Sequence, residues 1–256
     1  MDRIRLIASD MDATLLDEQS QLPADFEETI HALAELGIRF APASGRPLYT
    51  LEAMFPTLQD ELVFIGDNGG AIRWKGQNLF TSEMSPEGWR ALNRLTREQG
   101  DIAVLCGLES AYVERPFAVH DAVLRHFYTK IEYVDRLEDV AAPADKFTIY
   151  LPQHNAQQAY DTVYASQRSI YSVAVAGECW VDIMNPGVHK GAALQTLGQL
   201  WGLPSESIMA FGDTYNDAEM LQTVRYGFLM ENGSEPLRQK VPFLAPSHRE
   251  AGVMQV

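Results

Sequence analysis

Ile4-Arg5-Leu6-Ile7-Ala8-Ser9-Asp10-Met11-Asp12-Ala13-Thr14 decides how the rest of this 256-residue chain is read. Its first six residues are a short, largely apolar run that stops at Asp10. That length and its β-branched content predict a buried strand of a parallel sheet. Open α/β sheets place their ligand sites beyond the carboxyl ends of the strands, so Asp10 and Asp12 fall where chemistry is done. One carboxylate can attack as a nucleophile while the other gives and takes a proton. Alone the pair is a weak signal, because in a chain with 35 acidic residues most Asp-x-Asp matches are solvated loop groups.

Working outward, Pro23 opens a stretch in which Phe26, Ile30, Leu33 and Leu36 recur at helical spacing, and Gly37 closes it. A second strand over 38–43, a short helix over 48–55 and a third strand over 62–65 follow. This alternation predicts a sheet wound by right-handed crossovers. From about Thr81 the pattern changes. Trp89, Leu92 and Leu95 share a helix face ending at Gly100, and strands are expected at 102–105, 112–114 and 147–151. Helices are expected at 119–128 and 156–165. Residues 170–175 and 179–184 read as a hairpin turning at Gly177-Glu178. After Pro186 the first rhythm returns, with a helix over 190–201, a strand over 207–211, a helix from about Asn216 to Val224 and outer strands at 227–230 and 243–245. The expected fold is α/β, a Rossmann-like, mainly parallel core of residues 1–82 and 186–256, interrupted by an α+β domain over 83–185.

Composition sets the outer bounds. The 46% hydrophobic and 21% charged content is that of a globular protein. A formal charge of −15 argues against nucleic acid as partner, since a phosphate backbone needs a basic face. A small anion remains compatible, because a metal ion and a few basic groups reverse the field locally. Cys106 and Cys179 stand at no metal-ligand spacing and read as reduced thiols. The N-terminal apolar stretch is too short for a secretory signal, and no run approaches a membrane span, so the expectation is a cytoplasmic protein without a membrane partner.

Three further elements sit at strand ends or helix starts. In Ala43-Ser44-Gly45-Arg46 a hydroxyl, backbone N–H groups and Arg46 can hold phosphate oxygens, although Ser44 before Pro47 also reads as a helix cap. Lys190 opens a helix, where a cation opposes the macrodipole and calls for a compensating anion. Its neighbour His189 reads as a surface residue. Gly212-Asp213-Thr214-Tyr215-Asn216-Asp217 offers two oxygen ligands of the kind Mg²⁺ takes and an amide donor, beside the plainer reading of an Asp/Asn cap. Each element is ambiguous alone. Together they supply a nucleophile, a proton carrier, metal ligands and phosphate donors along one sheet edge.

With these residues in this order the chain resembles the haloacid dehalogenase superfamily, and within it the Cof-type phosphatases with a large α/β cap. Asp10-Met11-Asp12-Ala13-Thr14-Leu15-Leu16, Ser44-Gly45-Arg46, Lys190-Gly191 and Gly212-Asp213-Thr214-Tyr215-Asn216-Asp217 are similar to its four motifs, and Asp67-Asn68-Gly69-Gly70 to its Asn-Gly stretch. The resemblance implies a phosphatase in which Asp10 becomes an aspartyl phosphate and Asp12 is general acid and base. It implies Mg²⁺ held by Asp10, the Asp12 carbonyl and Asp213 with support from Asp217, and phosphoryl oxygens oriented by Ser44, Lys190, Asn216 and Arg46. Ala13 stands where that family usually has glycine. The implied substrate is a small phosphorylated metabolite, a sugar phosphate or a cofactor phosphate such as flavin mononucleotide or pyridoxal phosphate. A phosphotransferase or mutase on the same scaffold, and a non-catalytic phospho-ligand binder, are the alternatives. Selectivity would reside in the inserted domain, where Tyr112, Trp180 and Asp182 are candidates for leaving-group contact, packing or solvated surface. Oligomeric state is open.

Overall fold

The computed structural model describes residues 4–256. In chain order, β1 (Leu6–Ser9), α1 (Phe26–Glu35), β2 (Arg39–Pro42), α2 (Leu48–Ala53), β3 (Val63–Gly66), β4 (Ala71–Trp74) and β5 (Gln77–Thr81) come first. Then follow α3 (Pro86–Gln99), β6 (Ile102–Gly107), β7 (Ala111–Glu114), α4 (Asp121–Phe127), β8 (Ile131–Val134), β9 (Ala144–Tyr150), α5 (Ala156–Thr162), β10 (Ser172–Ala176) and β11 (Trp180–Met184). The chain closes with α6 (Lys190–Trp201), β12 (Ile208–Gly212), α7 (Ala218–Thr223), β13 (Tyr226–Met230), β14 (Phe243–Ala245) and α8 (Gly252–Gln255). Two compact units divide it. One holds the residues up to Gly45, Phe55–Phe80 and His189–Val256; the other holds Arg46–Met54 and Thr81–Val188.

The first unit is built on a five-stranded sheet of order β14-β13-β12-β1-β2, in which every pairing is parallel. Its inner strands β1 and β12 are buried except for Ile7 and Met209, which are half-buried, as suits a parallel sheet covered by helices on both faces. Leu6 and Ala8 join Ala41, Ala210, Leu194, Leu197 and Leu221 in one core. Each buried leucine contributes roughly 1.5–3 kcal/mol. Register fixes what comes next: Ser9 lies opposite Phe211 on one side and Pro42 on the other. The residues after β1, β2 and β12 therefore leave the sheet at one level. Parallel bridges from Phe40 to Leu62 and from Ala43 to Ile65 bring β3 alongside β2. A hairpin of β4 and β5, not expected from the sequence, extends β3 into a three-stranded sheet. It turns at Lys75-Gly76, both at positive φ.

The second unit carries a six-stranded sheet of order β10-β11-β9-β6-β7-β8. Its pairings are antiparallel except that of β7 with β8, a strand not expected from the sequence. One face packs Leu105, Phe147, Ile149, Val181 and Ile183 against Trp89 and Leu92 of α3. The other gathers Val104, Cys106, Tyr128, Tyr150 and Trp180. Trp180 is a packing residue, with ring centroids 4.6 Å from Tyr150 and 5.0 Å from Phe127. Asp182 is no surface group: it is buried, accepts a hydrogen bond from the Thr148 hydroxyl at 2.7 Å and pairs with Lys146 at 3.6 Å. The helix expected from residue 119 starts only at Asp121, because Arg115–His120 winds as a 3₁₀ turn with Pro116 near its start. Both cysteines are free thiols. No helix among the described residues is long and apolar enough to cross a membrane.

Candidate active site

Asp10 emerges from β1, and its N–H donates to the Phe211 carbonyl of β12 at 2.9 Å, so the carboxylate leaves the sheet from a fixed point. The chain then makes one wide turn, Met11–Leu15, closed by the Leu16 N–H on the Met11 carbonyl at 2.9 Å. Ala13 sits in this turn at φ 59° and ψ 14°, the left-handed conformation that an L-residue with a Cβ adopts only at a cost. The methyl group is thus accommodated without distorting the turn away from a glycine-like geometry.

Lys190, the first residue of α6, is completely buried, and its ammonium bridges two carboxylates that lie far from it in sequence. It donates to Asp10 Oδ1, 180 residues away, and to Asp217 Oδ1 at 2.7 Å. The compensating anions that its position at a helix N-terminus calls for are therefore protein carboxylates. Asp217 works on both sides: its Oδ2 accepts from the N–H groups of Asp213 at 3.0 Å and Thr214 at 3.2 Å. The Thr214 side chain completes a reciprocal capping box. The capping reading of this segment is realised in Asp217, whose other carboxylate oxygen reaches Lys190. His189 is not a simple surface residue; half-buried, it caps α6, its Nδ1 accepting from the Ala192 N–H at 3.1 Å.

Carboxylate oxygens of Asp10, Asp213 and Asp217 all lie within 4.8 Å of one another. Burial pushes the Asp10 carboxyl up to about 7, the nearby Asp217 charge adds to this, and Lys190 opposes it. Asp213 is pushed up to about 8, by burial first and then by Asp10 and Asp217. For Lys190 burial favours the neutral amine, but the two carboxylates outweigh it and raise its pKa. Three buried carboxylates face one ammonium, an excess of negative charge that a divalent cation would neutralise. Asp10 and Asp213 have oxygen capacity to ligate it. Asp217, already engaged in three hydrogen bonds, holds the loop and the lysine in place. The donor set is all oxygen and suits a hard divalent metal.

The other expected residues take distinct positions. Ser44 is buried beyond β2, its N–H donating to the Ile65 carbonyl and its carbonyl accepting from the Asn68 N–H, both at 2.9 Å. Asp67 and Asn68 stand consecutively at φ 50° and 55°, and the Asn68 side-chain amide lies against Gly45. Two adjacent left-handed non-glycine residues are the kind of strain that persists at functional sites. Gly69, at φ 99°, follows them, and any Cβ there would meet the His189 carbonyl at 2.6 Å, so only glycine lets this turn press against the start of α6. Asp12 and Asn216 are exposed, and Asn216 Oδ1 accepts from the Thr214 hydroxyl at 2.6 Å, which leaves its amide N–H groups as donors. Arg46 falls in the second unit, where it donates to the His126 carbonyl at 3.2 Å and lies over the Phe127 ring.

This arrangement has relatives. A family model for haloacid dehalogenase-like hydrolases matches residues 7–256. The chain is 31% identical over 257 residues to the 5-amino-6-(5-phospho-D-ribitylamino)uracil phosphatase YbjI of Escherichia coli (strain K12), covering 99% of this chain and 94% of that protein. It is 31% identical to the HMP-PP phosphatase of Cronobacter sakazakii, over 94% of this chain and 89% of that one. Among solved structures, SMU.1108c from Streptococcus mutans UA159 superposes with a TM-score of 0.87 at 28% identity, covering 98% of this chain and 97% of the other. Asp10, Lys190, Asp213 and Asp217 thus gather in a chain that, along nearly its whole length, belongs to the haloacid dehalogenase-like hydrolase family and is a phosphatase of it.

Proposed function

We propose that the protein hydrolyses a small phosphate monoester with Mg²⁺ as cofactor, through an aspartyl phosphate on Asp10. The observation that carries this reading is the buried Asp10–Lys190–Asp217 bridge beside Asp213. It fixes one oxygen of the Asp10 carboxylate and orients the group for attack by the other. Asp10 forms a bond to phosphorus as the ester P–O bond breaks, and Asp12 gives its proton to the departing oxygen. Asp12 then takes a proton from water as that water attacks the phosphoryl group, releasing phosphate and restoring the Asp10 carboxylate. Lys190, Ser44 and Asn216 orient the phosphoryl oxygens, where most of the stabilisation in phosphoryl transfer arises. Arg46 is a weaker candidate, given its contacts with His126 and Phe127. Mg²⁺ would be held by Asp10, Asp213 and the Asp12 carbonyl, and when bound it supplies positive charge against the phosphoryl oxygens.

The proposed substrate is a sugar phosphate or a cofactor phosphate; the named relatives, phosphatases of a ribitylaminouracil phosphate and of HMP-PP, support the broader class of small phosphorylated metabolites. The unit of Thr81–Val188, inserted in the chain between Phe80 and His189, is proposed as the substrate-selecting cap. The test is phosphate release from an aryl phosphate and a panel of such metabolites, with Mg²⁺ and with chelator. Mg²⁺-dependent release is expected; a folded protein that binds these compounds and releases nothing would favour a phospho-ligand binder.

The raised carboxyls give the metal a pH signature. Asp10 and Asp213 hold their protons in the folded, metal-free protein to about 7 and 8, whereas in the unfolded chain they lose them near the usual carboxylate range. Their contribution to metal-free stability is full below that range and is lost as pH rises through the folded values. Cation binding removes the penalty. The increase in melting temperature on adding Mg²⁺ is therefore expected to be small at pH 6 and to grow towards pH 8; scanning calorimetry in chelator and in Mg²⁺ measures both curves.

A further inference from the structure

The turn after β13 touches both catalytic loops without belonging to either motif. The Asn232 side-chain amide donates to the Ala13 carbonyl at 2.8 Å across 219 residues of sequence, and its Oδ1 accepts from the His248 N–H at 3.0 Å. Two residues on, the Ser234 N–H donates to the Asp213 carbonyl at 2.7 Å. The turn is itself anchored, with the Glu231 N–H on the Ala245 carbonyl of β14 and the Gly233 N–H on the Met230 carbonyl. Asn232 is exposed, so its contacts are not the incidental result of core packing.

Ala13 gives these contacts a purpose. An alanine at φ 59° is held in a conformation it disfavours, and the peptide that carries its carbonyl is the one Asn232 grips. Asp12 precedes it at φ −71° and ψ 128°, inside a turn pinned at its start by the Asp10 N–H on the Phe211 carbonyl and closed by the Leu16 N–H on the Met11 carbonyl, so any departure of Ala13 from the left-handed region is taken up by its neighbours, Asp12 first. We propose that Asn232 is a positioning residue of the reaction. By holding the Ala13 carbonyl it keeps the Asp10–Ala13 turn in its strained form and so sets the aim of the Asp12 carboxyl as proton donor. The inference rests on the reading of Asp12 as general acid.

A positioning role for the proton donor has a chemical readout. An aryl leaving group such as p-nitrophenolate departs without a proton, whereas an alkoxide needs one, so misplacing the acid slows alkyl esters selectively. The experiment measures kcat/KM for p-nitrophenyl phosphate and for an alkyl phosphate with wild type, Asn232→Ala and Asn232→Asp, in Mg²⁺, with thermal unfolding of each. The Ala variant loses both side-chain contacts. The Asp variant keeps the acceptor for His248 but replaces the donor to Ala13 by a carboxylate oxygen that repels its carbonyl. Both are expected to raise the aryl-to-alkyl ratio by about tenfold, the scale of one lost hydrogen bond. On an Ala13→Gly background, where the left-handed turn needs no holding, the increase is expected to shrink to about twofold or less.

An unchanged ratio in folded variants overturns the proposal, even if both rates fall together. So does a change confined to Asn232→Ala, which would assign the effect to His248. So does a full increase that persists on the Ala13→Gly background. If either variant does not fold, the other carries the measurement, and failure of both assigns Asn232 to stability and overturns the proposal. A wild type that releases phosphate from neither ester overturns the parent reading, and that outcome is visible before any variant is compared.

Discussion

Asp10→Asn is expected to remove phosphate release almost completely, by about 10³-fold or more, while leaving the fold intact. A carboxamide keeps the size of the side chain and an acceptor oxygen for Lys190, but it cannot form an acyl phosphate. The same change removes one negative charge from a buried, acid-rich cluster, and burial is the largest influence on that carboxyl. The metal-free variant should therefore melt no lower than wild type near pH 8, and its gain from Mg²⁺ should shrink because one ligand is weakened. Steady-state assays and calorimetry on the purified variant check both halves. A variant with a tenth of normal activity would show that Asp10 is a metal ligand or an electrostatic group and not the nucleophile.

Lys190→Met is the change with the largest expected effect on stability. The side chain is completely buried, and its ammonium satisfies Asp10 and Asp217 at once. Removing one partner of a buried ion pair costs about 3–5 kcal/mol, because the remaining charge is left desolvated. Part of that cost is avoidable at low pH, where carboxyls of raised pKa take up protons instead. The loss should therefore grow between pH 6 and pH 8. Lys190→Arg is not a rescue, since a planar guanidinium does not fit the space of a compact ammonium. Asp217→Asn added to Lys190→Met should recover part of the loss, as expected for residues that share one network. Urea unfolding at two pH values reads all of this, and activity should fall with either lysine variant because the Asp10 carboxylate is no longer held.

Much of the core was legible because parallel strands buried on both faces are continuous apolar runs, and here each ends in a polar motif. Residues 4–9 before Asp10 and 207–211 before Gly212-Asp213 read directly, and β1 and β12 lie side by side in the sheet. Lys190 was legible through a contradiction, a cation at the wrong end of a helix. What it pairs with was not, since no local rule says that Asp217 offers one oxygen to the lysine and the other to two backbone N–H groups. The β4–β5 hairpin escaped because its turn is Lys75-Gly76, without the Asn-Gly or Asp-Gly that marks such turns. β8 escaped because a four-residue strand paired in parallel with β7 carries little periodic signal. Asn232 carries no motif of its own, and only the closing of the chain brings it to Ala13.

The central claim is that phosphate passes through a covalent bond to Asp10. Rapid quench of the protein with an aryl phosphate and Mg²⁺, followed by borohydride reduction and peptide mass spectrometry, tests it most directly. An aspartyl phosphate is reduced to homoserine, and the account predicts that product at residue 10, formed in the wild type and absent from Asp10→Asn. Steady release of phosphate with no reducible intermediate, or with the homoserine at any other aspartate, would contradict it.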